Sequence, residues 1–229
     1  MLTLVATPIG NLEDAGPRTV RSLREADVIA CEDTRRTRKL LSHFDIPCPA
    51  SLLSYRQGNE ERVGRELLSL LRTGKNVALC SDGGYPGISD PGYRIVRAAV
   101  EAGVEVRVIP GASAVPVALL LSGLPTSSYT FKGYPPRKKG QAVRFFEAER
   151  DMPHTLVVFE SPYRVGKALA AALEALGNRE AAVCVELTKK FERVARGHLR
   201  DLAGQFEAAK IRGEVTLVIA GNNPKFRTD

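Results

Sequence analysis

Charged and glycine-rich residues gather in short strings, each directly after an apolar run. Glu32-Asp33-Thr34-Arg35-Arg36 follows Val28–Cys31, SDGGYPGISDPG (residues 81–92) follows Val77–Cys80, and PGASA (110–114) follows Val104–Ile109. TPIGN (7–11), ESPYR (160–164) and ELTKK (186–190) are placed the same way. Acids heading a run of Arg35, Arg36, Arg38 and Lys39 suit a phosphate-contacting edge; equally, Asp33 and Thr34 cap a helix whose basic face is only solvated. PGASA turns the chain into a helix start with unpaired N–H groups and the Ser113 hydroxyl, fit for a carboxylate or a ribose, or a plain helix N-terminus. PPRKKG (135–140) adds a second basic patch at Arg137, Lys138 and Lys139, or a charged linker. The stretch 81–92 is too rich in Gly and Pro for a helix or a central strand and too long for a turn.

These strings need a scaffold that brings strand ends together. Runs rich in Val, Ile and Leu predict strands at 2–7, 28–32, 77–81, 104–109, 155–160, 182–187 and 215–220. Between them, helical patterns run over 17–26, 35–44, 60–72, 93–102, 112–122, 141–149, 164–176 and 199–210. The alternation predicts an α/β fold with mostly parallel sheets, in which ligands gather at the carboxyl ends of strands. A turn-rich, then basic, stretch from Gly123 to Gly140 divides the chain into two expected α/β lobes, 1–123 and 124–229, with a cleft between them as the default ligand site.

Composition narrows the chemistry. The chain has 229 residues, 44% hydrophobic and 26% charged, enough for a sizeable core. No apolar run reaches the length of a membrane span, and the N-terminus opens on a strand pattern, so a cytoplasmic protein is expected. Cys31, Cys48, Cys80 and Cys184 form no C-x-x-C pair and read as free thiols, three of them in apolar runs. His43, His154 and His198 are isolated, so no metal site is expected. Neither G-x-G-x-x-G nor a P-loop nor G-x-S-x-G occurs, which removes the usual warrants for dinucleotide redox chemistry, phosphoryl transfer and a serine nucleophile. A net charge of +7 mildly favours a polyanionic partner.

Taken in order, TPIGNL, EDTR, SD-x-G-x-P-x-ISDPG, PG-x-SA, F-x-GY-x-P-x-KKG, ESP-x-R, ELTK and GE-x-TLVI-x-G resemble the bacterial 16S ribosomal RNA cytidine 2'-O-ribose methyltransferases of the tetrapyrrole (corrin/porphyrin) methyltransferase superfamily. The similarity spans Leu4 to Gly221, and TPIGNL with EDTR and ISDPG is specific to the RNA branch. The resemblance implies S-adenosylmethionine folded in a cleft between two lobes, a homodimer, and methyl transfer to a ribose of small-subunit 16S RNA. By position it implies a cofactor pocket of Pro8, Ser81, Asp82, Gly83, Gly84, Tyr85, Ile88, Ser113, Ala114, Phe159 and Leu187.

For in-line transfer to a 2'-hydroxyl, the proton acceptor is expected among Glu32, Asp33, Glu160 and a Lys189 depressed by burial, with Arg35 and Arg36 on phosphate. Arg38, Arg137, Lys138 and Lys139 complete the expected RNA contacts. The chain departs from the family pattern at Gly83 and Tyr85, where alanine and threonine are usual, and it stops at Asp229, where many relatives continue into a helical extension. Two other readings stay open: a tetrapyrrole methyltransferase, against which TPIGNL and EDTR argue, and a catalytically silent RNA-binding assembly factor.

Overall fold

Apolar four-residue runs become strands buried on both faces in the computed structural model, which describes residues 1–209 and 211–226. They are β1 (Leu2–Val5), β2 (Val28–Cys31) and β4 (Val77–Cys80), joined by a half-buried β3 (Ser51–Ser54) and an edge strand β5 (Val106–Ile109). The order is β3-β2-β4-β1-β5, every pairing parallel. Register puts Val5 beside Cys80 and Ile109, and Cys31 beside Cys80 and Ser54, so all five carboxyl ends form one row. Helices α1 (Pro17–Arg24) and α2 (Thr34–His43) cover one face through Leu23 and Leu41; α3 (Glu60–Arg72) and α4 (Tyr93–Glu101) cover the other through Leu67 and Ile95.

The described residues divide into two compact units after Ser113. The second begins with α5 (Ala114–Ser122), β6 (Tyr129–Phe131), α6 (Lys139–Glu147), β7 (Thr155–Glu160) and α7 (Val165–Leu176). It continues with β8 (Glu180–Val185), β9 (Arg193–His198), α8 (Leu199–Glu207) and β10 (Val215–Ile219). Its sheet order is β6-β7-β10-β8-β9. Leu156 and Val158 of β7 face α6, α7 and α8, in a core with Phe146, Leu169 and Phe206. On the opposite face α5 packs on β8, β9 and β10.

The α/β class holds, with three differences from the sequence reading. The second sheet is mixed: only β6 and β7 pair in parallel, and the other three pairings are antiparallel. Residues 186–192 are too few for a crossover helix, so β8 and β9 form an antiparallel hairpin, and β10 inserts antiparallel to both β7 and β8. Strands β3, β6 and β9 are absent from the expected set; SLLS and YTF are too short, and RVARGH too polar, to announce themselves. Finally, α5 belongs with the second unit, whereas the reading placed 1–123 together. Lys210, expected to end the last helix, and residues 227–229 lie outside the described residues.

One buried cation is held by backbone. The Arg179 guanidinium, 2% exposed, donates to the carbonyls of Leu176, Ala220 and Arg150, tying the end of α7 to β10. Cys31, Cys80 and Cys184 are buried free thiols and Cys48 is exposed; burial pushes all three buried thiols up, Cys184 to about 11.

Candidate functional site

At the carboxyl edge of the first sheet, three loops are stitched together by backbone. Thr7 and Gly84 exchange N–H···O bonds of 2.9 Å each, pairing the loop after β1 with the loop after β4. The Thr7 hydroxyl donates to the Ser81 carbonyl at 3.2 Å, and the Ser81 hydroxyl donates to the Gly84 carbonyl at 3.2 Å. A Cβ on Gly83 would stand 3.4 Å from the Pro8 carbonyl oxygen, and one on Gly84 would stand 3.8 Å from that of Ala112. Gly84 has φ +83°, which few side-chain-bearing residues adopt.

Tyr85 has a defined direction. Its hydroxyl accepts the Gly111 N–H at 3.1 Å, bracing the loop after β4 against PGASA. The rest of the long loop closes on itself: Gly87 N–H bonds the Pro91 carbonyl at 3.2 Å, and Gly92 packs so tightly on Gly87 that a Cβ would lie 2.7 Å from its nitrogen. Ile88 projects outward, 50% exposed. Pro8, Gly83, Gly84 and Tyr85 therefore converge with the turn that leads to Ser113, and Ile88 stands at the rim. This is a cradle of backbone polar groups and small residues, the kind of surface that an amino-acid and nucleoside ligand such as S-adenosylmethionine requires.

Beside it lies a charge network. Asp33 caps α2, accepting the Arg35 N–H at 2.9 Å, and its carboxylate clamps the Arg35 guanidinium with contacts of 3.1 and 2.8 Å. These bonds hold the Asp33 carboxyl well below the usual carboxylate range. Asp82 accepts the Asp33 N–H at 3.1 Å and the Arg36 guanidinium at 3.2 Å, so it ties β4's loop to the head of α2. Glu32 is different. Its carboxylate takes no hydrogen bond among the described residues, and burial, followed by the charges of Asp82 and Asp33, raises its pKa against the pull of Arg36. Arg38 is exposed and, among the described residues, hydrogen-bonds Thr34 alone.

The second unit separates residues that sit side by side in sequence. Successive residues of a strand face opposite ways. Phe159 stacks edge-on with Phe131 and Tyr134, while Glu160, 4% exposed, turns to the side of α6 and α7. There it accepts the Arg164 guanidinium at 2.5 Å and the Ser161 N–H at 2.6 Å. Val215 pairs with both Glu160 and Val185, so ESPYR and ELTKK lie at one end of this sheet. Around Leu187, Glu186 (φ 53°) and Thr188 (φ 65°) are both left-handed, and the buried Thr188 hydroxyl has no partner among the described residues.

Lys189 does not match the expected depressed amine. Burial pulls it down, but bonds to Glu186 (2.7 Å) and Glu214 (3.0 Å) outweigh that and hold it above its ordinary value, so it is a poor base. Arg137, Lys138 and Lys139 are exposed at the head of α6, with Lys139 paired to Glu174 at 3.1 Å. Sequence reasoning missed Arg164 and Gly111, although each stands inside a quoted string. Among the described residues no cluster of His, Cys, Asp or Glu could hold a metal ion, and no helix is long and apolar enough to cross a membrane.

Known proteins resemble this chain throughout. The model of the tetrapyrrole (corrin/porphyrin) methylases matches residues 1–203. The chain is 47% identical over 224 residues to a protein of Halalkalibacterium halodurans named ribosomal RNA small subunit methyltransferase I, covering 98% of this chain and 77% of that one. The Bacillus subtilis protein of the same name is 42% identical, covering 97% and 76%. Among solved structures, uroporphyrin-III C-methyltransferase of Thermus thermophilus, complexed with S-adenosyl homocysteine, aligns with a TM-score of 0.64 at 23% identity, over 96% of each chain. At that identity the likeness speaks for the fold alone, and the relatives above 40% identity define the branch. The chain belongs to the tetrapyrrole (corrin/porphyrin) methylase family, on its ribosomal RNA small subunit methyltransferase I branch.

Proposed function

We propose that this chain methylates the ribose 2'-hydroxyl of a cytidine in 16S ribosomal RNA within the small subunit, in the cytoplasm and as a homodimer. S-adenosylmethionine supplies the methyl group. The observation that carries the reading is the charge network joined to the loop cradle in the first unit. Pro8, Gly83, Gly84, Tyr85 and Ser113 bind and orient the cofactor. Beside them Arg35 and Arg36, fixed by Asp33 and Asp82, position RNA phosphates. Glu32 accepts the hydroxyl proton, since a half-buried carboxylate with a raised pKa is a better base near neutrality than a clamped one such as Asp33. The relatives' shared name supports an RNA substrate over a macrocycle.

The deciding experiment incubates the chain with methyl-labelled S-adenosylmethionine and, separately, small ribosomal subunits, naked 16S RNA and a porphyrinogen. Label is expected in a ribose of the subunit RNA. Label only in the macrocycle would sink the proposal, and cofactor binding with no transfer to any substrate would favour a silent assembly factor.

A second measurement tests the RNA side. Asp33→Ala frees Arg35 and removes a helix cap that contributes about 1 kcal/mol. It should lower kcat/KM on RNA by at least roughly tenfold, a loss of about 1.4 kcal/mol in transition-state stabilisation, with cofactor affinity little changed. Equal loss of both would refute the assignment.

A further inference from the structure

A pocket of about 400 Å³ opens on the second unit where the end of β7 meets the heads of α6 and α7. Its floor is the buried Glu160–Arg164 pair. Its apolar lining that reaches solvent is Pro136 and Ala170 of α7, with Pro135, Ala168 and Ala171 buried. Its rim is cationic: Arg137, Lys139 and Lys167. Arg164 already answers Glu160 and Glu174 partly answers Lys139. Arg137 and Lys167, both exposed, make no ion pair among the described residues.

That combination selects its occupant. An excess of positive charge repels a sulfonium, so the pocket does not suit S-adenosylmethionine. An apolar lining under unpaired cations suits a group with one apolar face and one anionic end. A nucleotide of a single strand is such a group: its base packs or stacks while its phosphate meets Arg or Lys. We infer that this pocket holds one nucleotide of the RNA substrate, with its phosphate on Arg137 and Lys167 and its base against Pro136 and Ala170. The inference rests on the proposed RNA-methylating function and adds to it an RNA subsite carried wholly by the second unit.

Two variants of the full chain test it without touching the core. Lys167→Glu reverses a rim charge, and Ala170→Leu fills the mouth from an exposed position of α7 without offering a ring for a base to stack on. Thermal melts first establish that both fold like the parent chain. Binding of a fluorescently labelled 16S RNA fragment is then titrated from low to moderate salt, with S-adenosylmethionine affinity measured in parallel. Lys167→Glu should weaken RNA binding roughly tenfold and flatten the log–log salt slope by about 0.7 to 1. Ala170→Leu should weaken RNA binding several-fold without changing the slope. Cofactor affinity should stay at the parent value in both.

RNA affinity unchanged in both variants, while the parent chain still methylates subunit RNA, overturns the pocket and leaves the function standing. Loss in Lys167→Glu alone makes the rim a surface phosphate patch and also overturns the pocket. A parent chain that methylates no RNA overturns the function and the pocket together.

Discussion

Gly84→Ala should bind S-adenosylmethionine about 5–30-fold more weakly than the parent chain, whereas Gly83→Ala should bind it within about twofold. The two glycines are neighbours and a Cβ fits at both. On Gly84 it would meet nothing closer than Ile9 Cγ2 at 3.6 Å, and on Gly83 nothing closer than the Pro8 oxygen at 3.4 Å. Only the backbone separates them. Gly84 sits at φ +83° and Gly83 does not have positive φ. An L-residue held in left-handed backbone costs about 1–2 kcal/mol, and the loop relieves that strain by moving. Movement at Gly84 breaks its paired bonds to Thr7 and shifts Tyr85, which braces Gly111. Calorimetric titration with S-adenosylmethionine checks the pair of variants. Parent-like affinity in Gly84→Ala would mean that the loop after β4 takes no part in the cofactor site. Tolerance at Gly83 also agrees with the resemblance, which has alanine there.

Arg164→Ala should destabilise the fold by about 1–3 kcal/mol at neutral pH, because it leaves the buried Glu160 carboxylate without its cation. Burial raises the Glu160 pKa, opposed by the Ser161 N–H and by Arg164. A carboxyl raised in the folded state favours folding when protonated. That contribution is complete below the unfolded-state pKa and disappears as pH rises through the folded-state value. Without Arg164 the folded-state value climbs further, so the charged form costs most near neutrality. The gap to the parent should therefore narrow on acidification toward the ordinary Glu range near pH 4–5. Melting temperatures of both chains at pH 7.5 and pH 5 measure this, and adding Glu160→Gln to Arg164→Ala should recover part of the loss at pH 7.5. A gap equal at both pH values would refute the buried-charge account.

Much of this protein was legible from local pattern. Runs such as Val28–Cys31 and Val77–Cys80 declare buried strands, because a strand covered on both faces has no polar position to spare. The stripe through Ile95 and Ala99 declares α4, and the strings at strand ends declare a ligand edge. Elements that owe their form to their neighbours were not legible. SLLS is a strand because it pairs with β2, and RVARGH because it closes a hairpin with β8. Two of the three antiparallel pairings in the second sheet follow from where β10 inserts, a tertiary choice that no local period encodes.

By itself, the sequence determined the fold class and the strings that carry the chemistry, which follow from residue type and spacing, and through the resemblance of those strings the branch of the family. Only the tertiary structure decided what each charge does. Glu32 and Asp33 are adjacent, yet one is raised by burial and nearby carboxylates while the other is clamped by Arg35. Phe159 and Glu160 are adjacent, yet the pleat turns them to opposite faces. Lys189 gains two carboxylate partners, one of them Glu214, 25 positions along the chain. A pKa and a side-chain direction depend on what lies across space, and for Lys189 that is the chain around Glu214.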